Sequence, residues 1–272
     1  MNWTEPSSTM NAEEIIIYME SLRNEGQQHV LKRFFKTGKG EYGEGDEFLG
    51  LKVPQTREVV KMAKDLPLEE VKKLLYCRWH EVRLCGLLIL VCQFERQAKK
   101  RLENDAEAIT RRDRLVSFYL EHAHQANNWD LVDMSAPKIL GHWLMLPTMQ
   151  GGKVGLNEEY KRSVIDALAG SNNLWLQRTS MVCTWKTTQQ GAPTWCLRLA
   201  EKHLHHSHDL MHKAVGWMLR EMGKRISEDL LRSFLSEHIH EMPRTALRYA
   251  IEKLPEEERR YWMNIPVTKV SK

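Results

Sequence analysis

The 272-residue sequence predicts an all-α fold, an α-solenoid built from antiparallel helix pairs. Helical periodicity runs through the chain, and no alternating polar–apolar run is long enough to demand a sheet. Breaks at 38–50, 147–155, 170–173, 191–193 and Pro255 separate elements of roughly 10 to 18 residues, lengths suited to paired helices. A motif also recurs: an apolar or aromatic residue, a short gap, a cation, then small and apolar residues. It reads Trp79–Arg83, Trp175–Arg178, Leu210–Lys213 and Met242–Arg244.

Taken in order, helices are expected to begin near Asn11, Val53, Pro67, Glu81, Arg111, Asp130, Asn157, Trp175, Thr194, Asp209, Ser227 and Arg244. The segment Trp129–Asp133 matches Trp79–Arg83 in its Trp, its Val and its spacing, but Asp133 stands where Arg83 stands. With it, the recurring position falls at 83, 133, 178, 213 and 244, at spacings of 50, 45, 35 and 31 residues. Irregular periods of that size mark diverged two-helix repeats of the HEAT or armadillo kind. Arg57 reads as an earlier copy. If each copy opens the second helix of a pair, Arg57, Arg83, Asp133, Arg178, Lys213 and Arg244 line one concave basic wall. The alternative is a ladder of structural charges between neighbouring helices.

Composition sets the bounds. The chain is long enough to bury a full core and is expected to form a single repeat domain over 1–272, with flexible tails near 1–10 and 266–272. A formal charge of +4 is too mild to establish a polyanion partner, so the placement of the cations carries more weight. Five Cys without a CxxC pair suggest neither a zinc ribbon nor a redox motif. Cys85 and Cys92, seven apart in an apolar run, suit one buried helix face. Free core thiols, no signal peptide and no membrane-length apolar stretch together lead to the expectation of a soluble cytoplasmic protein.

Five stretches could carry chemistry. In Asn128–Asp133, Trp129 and Asp133 are four apart and share a helix face, whereas Asp130 is placed to act as a first-turn helix acid. Arg178, opening a helix after Ser171–Asn173, suits bidentate phosphate contact. Lys213, Trp217 and Arg220 are neighbours on a helix surface, and Gly216 between them asks for a close backbone approach. The glycine-rich stretch 34–46 is not a phosphate loop of the Walker type. Its Lys39 and Tyr42, with Lys32, Arg33 and Lys36, suit an arm on a nucleic-acid backbone, or a plain solvated loop. The histidines from His203 to His212 lack a metalloprotease arrangement, and no metal or cofactor is expected there or elsewhere.

These motifs resemble the alkylpurine DNA glycosylases of the AlkD-like DNA alkylation repair family, which are built from HEAT-like repeats. The resemblance rests on Trp129–Asp133 with Pro137 and Gly141, on Trp175–Arg178, on Lys213–Glu221, and on Phe48–Gly50 followed by Pro54. It spans roughly residues 15–255, and the ordered set is far more specific than any one motif. The resemblance implies that Asp133 is the catalytic carboxylate, that Trp129 and Trp217 flank it, that Arg178 holds the lesion-side phosphate and that Arg220 contacts the DNA backbone. Lys213, Arg244, Arg57, Lys39 and Tyr42 complete the expected DNA contacts.

It further implies a monofunctional enzyme that removes purines made cationic by alkylation at N3 or N7 from duplex DNA. The reaction leaves an abasic site and need not draw the base into a pocket. The chain departs from the pattern where Asn127–Asn128 precede Trp129, since an aromatic residue is usual there, and in its longer loop 36–46. Two other readings stand beside this one: a non-catalytic binder of DNA structures on the same scaffold, and a peptide-binding repeat protein. Nothing in the sequence requires more than a monomer.

Overall fold

The computed structural model describes residues 10–268. The tails expected at 1–10 and 266–272 therefore fall largely outside the described residues. Among the described residues the fold is all-α apart from one two-stranded hairpin, and its contacts divide it into two compact units, Met1–Ser135 and Ala136–Lys272.

The first unit contains α1 (Ala12–Ser21), α2 (Glu25–Phe34), α3 (Val53–Ala63), α4 (Leu68–Leu75), α5 (His80–Gln97) and α6 (Ala106–His122), and ends within α7 (Trp129–Ala136). Helix α5 packs on α3, α4 and α6, and α1 packs on α3 and α4. Every residue of α5 from His80 to Val91 is buried, because neighbours enclose it on several sides. The single buried face expected from Cys85 and Cys92 is therefore a helix buried all round, and Cys92 lies at its less enclosed end. The charged Arg112 of α6 is fully buried; it donates to the carbonyls of Gln97, Leu102 and Glu103 and so closes the turn that follows α5.

The second unit opens with a π-helical turn (Pro137–Gly141) and a hairpin of β1 (Thr148–Gln150) and β2 (Lys153–Gly155). The sequence places a break there. Gly151 and Gly152, both at positive φ (57° and 76°), turn it back into a hairpin. Then come α8 (Glu158–Ala169), α9 (Leu174–Val182), α10 (Thr184–Gln189), α11 (Thr194–Lys202), α12 (Asp209–Arg225), α13 (Glu228–His238), α14 (Arg244–Ala250) and α15 (Glu256–Asn264). Helix α12 is the hub, packing on α9, α10, α11, α13 and α14. The close approach expected at Gly216 is made by α14: a Cβ there would collide with the Ala246 carbonyl and with Tyr249.

Most expected helix starts agree to within a residue or two. Helix α6 begins at Ala106 rather than Arg111, since Asp105 caps it through the Ala108 amide at 2.8 Å. Helices α2, α10 and α15 are additional to the expected set. All five cysteines are free, and Cys85, Cys183 and Cys196 are fully buried; burial pushes the Cys85 and Cys196 thiols up to about 12 and raises Cys183 as well. Among the described residues, no helix is long and apolar enough to cross a membrane.

Candidate active site in the first unit

Three short segments of the first unit meet around the N-terminus of α5. The chain leaves α2 at Phe35, turns through 36–46 with Lys36, Gly40 and Gly45 at positive φ, and returns so that the amide of His80 donates to the Glu47 carbonyl at 2.8 Å. Phe48 and Leu49 are then fully buried. Gly50 allows the chain to pass α2, since a Cβ would collide with the Asn24 carbonyl. Buried Glu81, in the first turn of α5, accepts the amides of Leu49, Gly50 and Leu51 at 2.8, 2.8 and 3.0 Å. One carboxylate thus satisfies three backbone donors that have left regular structure.

A second set of charges lies beside it. The His80 ring is bonded at Nδ1 to Asp46 (2.7 Å) and at Nε2 to Asp130 (2.8 Å). A neutral imidazole has one N–H, so two carboxylate partners require the imidazolium. Burial alone would depress its pKa, but Asp130 and Asp46 outweigh that cost and raise it to about 9. Arg83 donates to Asp46 at 2.5 Å and to the carbonyls of Cys77 and Arg78. Burial would raise Asp46, yet His80 and Arg83 hold it below the ordinary carboxylate value. Asn128 adds a donor to Asp46 at 3.2 Å and accepts the Trp129 amide at 2.9 Å, so it fixes the start of α7.

Arg83 is therefore an internal member of this network and does not join a ligand-facing wall. Its two terminal nitrogens are engaged by Asp46 and two carbonyls, which corrects the concave-wall reading at that position.

Rings pack against this network. Phe35 stacks on Phe48 (5.1 Å between centroids) and on Trp129 (5.3 Å), Phe48 stacks on His80 (4.5 Å), and Phe34 meets Trp129 edge-on at 5.8 Å. Together they border a cavity of about 470 Å³, whose wall includes Phe34, Phe35, Phe48, Trp129, Asp130 and Asp133. Trp129 and Asp133, both half-buried, lie one turn apart on α7 on its wall, as their spacing predicts. Asp130 also serves as the expected first-turn acid, but its main engagement is with His80.

The other candidates are distributed as follows. In the first unit Arg57 on α3 and Lys39 in the loop are exposed, as are Lys32, Arg33 and Lys36, while half-buried Tyr42 places its hydroxyl 3.5 Å from the Phe34 carbonyl. In the second unit Arg178 is only 5% exposed and donates through Nη1 to the Leu210 carbonyl at 2.6 Å, so at most an edge of the guanidinium is presented to a ligand. Lys213 pairs with Asp209 at 2.8 Å, Trp217 is half-buried on α12, and Arg220 is ion-paired with Glu252. Arg244 donates to the carbonyls of Met263 and Ile265 and so closes the C-terminus of α15.

The histidine stretch has structural engagements. Buried His203 bonds the Ser180 hydroxyl at 2.9 Å, and burial lowers its pKa to about 4. His206 meets Gln177, His208 caps α12 through the Leu210 amide, and His212 bonds the His206 carbonyl.

Sequence reasoning missed Phe34, Phe35, Asp46 and His80 as members of the site. Asp46 ends a glycine-rich loop and His80 sits next to a Trp in an apolar helix, so only their conjunction in space marks them. A buried charge cluster opening an otherwise apolar helix (His80, Glu81, Arg83) was the available signal.

No curated protein matches the chain. A solved structure described as a predicted DNA alkylation repair enzyme from Enterococcus faecalis superposes with a TM-score of 0.62 at 15% identity. The match covers 86% of this chain and 97% of that one, a likeness of fold alone. The model of the DNA alkylation repair enzyme family matches residues 15–254, nearly the whole described length. The chain therefore belongs to the DNA alkylation repair enzyme family.

Proposed function

We propose that this repair protein is a monofunctional DNA glycosylase acting on purines made cationic by alkylation at N3 or N7 in duplex DNA. The observation that supports it is the pairing of Asp133 with the Trp129 indole, one turn apart on the wall of an aromatic cavity. An N-alkylated purine carries its positive charge already, so it departs as a neutral base without a general acid. The bond from C1′ to the ring nitrogen breaks, its electron pair neutralises the base, and the sugar takes on oxocarbenium character. Asp133 lowers the energy of that cation by charge and accepts the proton from the water that adds to C1′. Trp129 offers an electron-rich face to the same charge, worth roughly 0.5–2 kcal/mol. The exposed cations Lys32, Arg33, Lys36, Lys39 and Arg57 supply phosphate contacts.

The decisive experiment uses a duplex with a single N7-methylguanine, with abasic sites revealed by alkaline cleavage. Wild type is expected to cleave, and Asp133→Asn to lose roughly 10²–10³-fold in rate while its DNA affinity stays within a few-fold. Equal rates would remove Asp133 from the chemistry. Binding by both proteins without release from either this duplex or an N3-methyladenine duplex would leave a non-catalytic DNA binder.

A further inference from the structure

We infer that Arg78, with Arg23 beside it, is a phosphate clamp for the DNA backbone, oriented in advance by the indole of Trp79; this rests on the DNA-binding part of the reading above and not on base release. Arg78 lies in the turn between α4 and α5 and Arg23 in the turn between α1 and α2, and both are exposed. Their guanidinium carbons stand 4.2 and 5.7 Å from the centroid of the same ring. Trp79 is 6% exposed and its Nε1 donates to Glu20 of α1 at 2.6 Å, so the platform is fixed.

Packing alone would account for one stacked arginine, whose alkyl stem covers apolar surface. It does not account for two guanidiniums brought to one ring. Among the described residues neither forms an ion pair, and Arg23 reaches only the Gln28 side chain, at 3.4 Å. Glu20 at the ring edge is engaged by the indole N–H, which leaves two positive charges against one negative around the ring. Like charges that share a site repel, and a phosphodiester lying across them removes that cost. Stacking covers the face of a guanidinium and leaves its N–H groups free in the plane, where a phosphate takes two of them at once.

The main chain of Arg78 is held as firmly as its side chain. Arg83 donates through Nη1 to the carbonyls of Arg78 and Cys77 at 2.9 and 3.1 Å, and is itself bonded to Asp46. Asp46 in turn meets His80 and Asn128, the residue that fixes the start of α7. A phosphate bound at Arg78 is therefore held in fixed relation to the helix that carries Trp129 and Asp133. Arg83, turned inward, supplies the support. Arg78, five residues earlier, supplies the outward cation that the repeat pattern assigns to Arg83.

The test is DNA binding by full-length protein, read by fluorescence anisotropy on an undamaged duplex at several salt concentrations. Arg78→Met keeps an unbranched cover on the indole and removes the charge; Arg78→Gln serves as a second neutral variant, and thermal melts check that each folds. Either should weaken binding roughly tenfold and lower the slope of log K against log salt by about 0.9. Arg78→Lys should restore the slope but not the affinity, because an ammonium offers neither the stack nor the fork. Arg23→Ala should act in the same direction, and less again in the Arg78→Met background, since the two share one site. Where N7-methylguanine is released, Arg78→Met should raise the protein concentration for half-maximal release several-fold and leave the plateau rate within about twofold. Unchanged affinity and slope in the neutral variants, or full rescue of affinity by Arg78→Lys, overturns the clamp while leaving a glycosylase. A slope lowered by Arg78→Met, in a protein whose wild type releases no base, keeps the clamp and overturns the glycosylase.

Discussion

The Nε2 of His80 lies 2.8 Å from the carboxylate of Asp130, and that one bond ties the first turn of α5 to the first turn of α7. Because Trp129 and Asp133 ride on α7, His80 acts on the candidate site as a positioning residue, holding the helix that presents them.

The tie should be visible in the pH dependence of stability. The His80 pKa in the folded protein, about 9, lies above its ordinary 6.5. Its stabilisation is therefore complete below 6.5 and is lost as pH rises through 9. Denaturation midpoints of wild type should fall across that interval. His80→Gln should lose this alkaline limb and cost about 3–5 kcal/mol at neutral pH, because two carboxylates lose their cation. A midpoint that moves in parallel in both proteins between pH 6.5 and 9 would contradict the assignment.

Glu81 should matter more than its single charge suggests. Glu81→Gln replaces one of two acceptor oxygens by a donor facing the amides of 49–51, with an expected loss of roughly 2–3 kcal/mol. Hydrogen exchange should accelerate selectively at Leu49, Gly50 and Leu51, whereas α12 in the second unit keeps its protection.

Gly216 separates two effects of opposite sign. Helix propensity alone would favour Gly216→Ala by about 1 kcal/mol. The added methyl, however, meets the Ala246 carbonyl and Tyr249, so overpacking of α12 on α14 should win and destabilise the protein by about 1–3 kcal/mol. Urea denaturation reads the sign directly.

The exposed loop cations should act on DNA through charge alone. Lys39→Ala is expected to weaken binding to duplexes of any sequence. It should lower the slope of log K against log salt by about 0.9, the value for one lost phosphate contact. Fluorescence anisotropy at several salt concentrations measures it, and an unchanged slope would return the loop to plain solvent.

How far the sequence led can be judged from individual residues. The all-α class was legible because apolar positions recur with a period near 3.6, and the shared face of Trp129 and Asp133 followed from their spacing alone. Asp133 was legible because a carboxylate stood where its own repeat carries a cation. Helix α2 was not, because Asn24 caps it only two residues after α1 has ended at its own C-cap, leaving no glycine or proline to mark the join. Without it, Phe34 and Phe35 read as the start of the glycine-rich stretch 34–46 and not as the end of a helix.

The row of cations looked uniform in sequence, but burial divides it. Arg83 and Arg178 are enclosed, Arg244 closes a helix end and Lys213 pairs with Asp209, while Arg57 faces outward. A basic residue at a recurring position reports its helix, not its partner; only neighbours reveal what the charge meets.

The burial of Cys85, Cys183 and Cys196 bears on how the fold meets the chemistry that damages DNA. Agents that alkylate purines are electrophiles, and within a protein the sulfur they attack fastest is the ionised one. Thiols enclosed in helix interiors, two of them with pKa values near 12, stay protonated and out of reach. These three thiols are thereby shielded from the reagents that create the damage, whereas half-buried Cys77 and Cys92 are the sulfurs such reagents reach first.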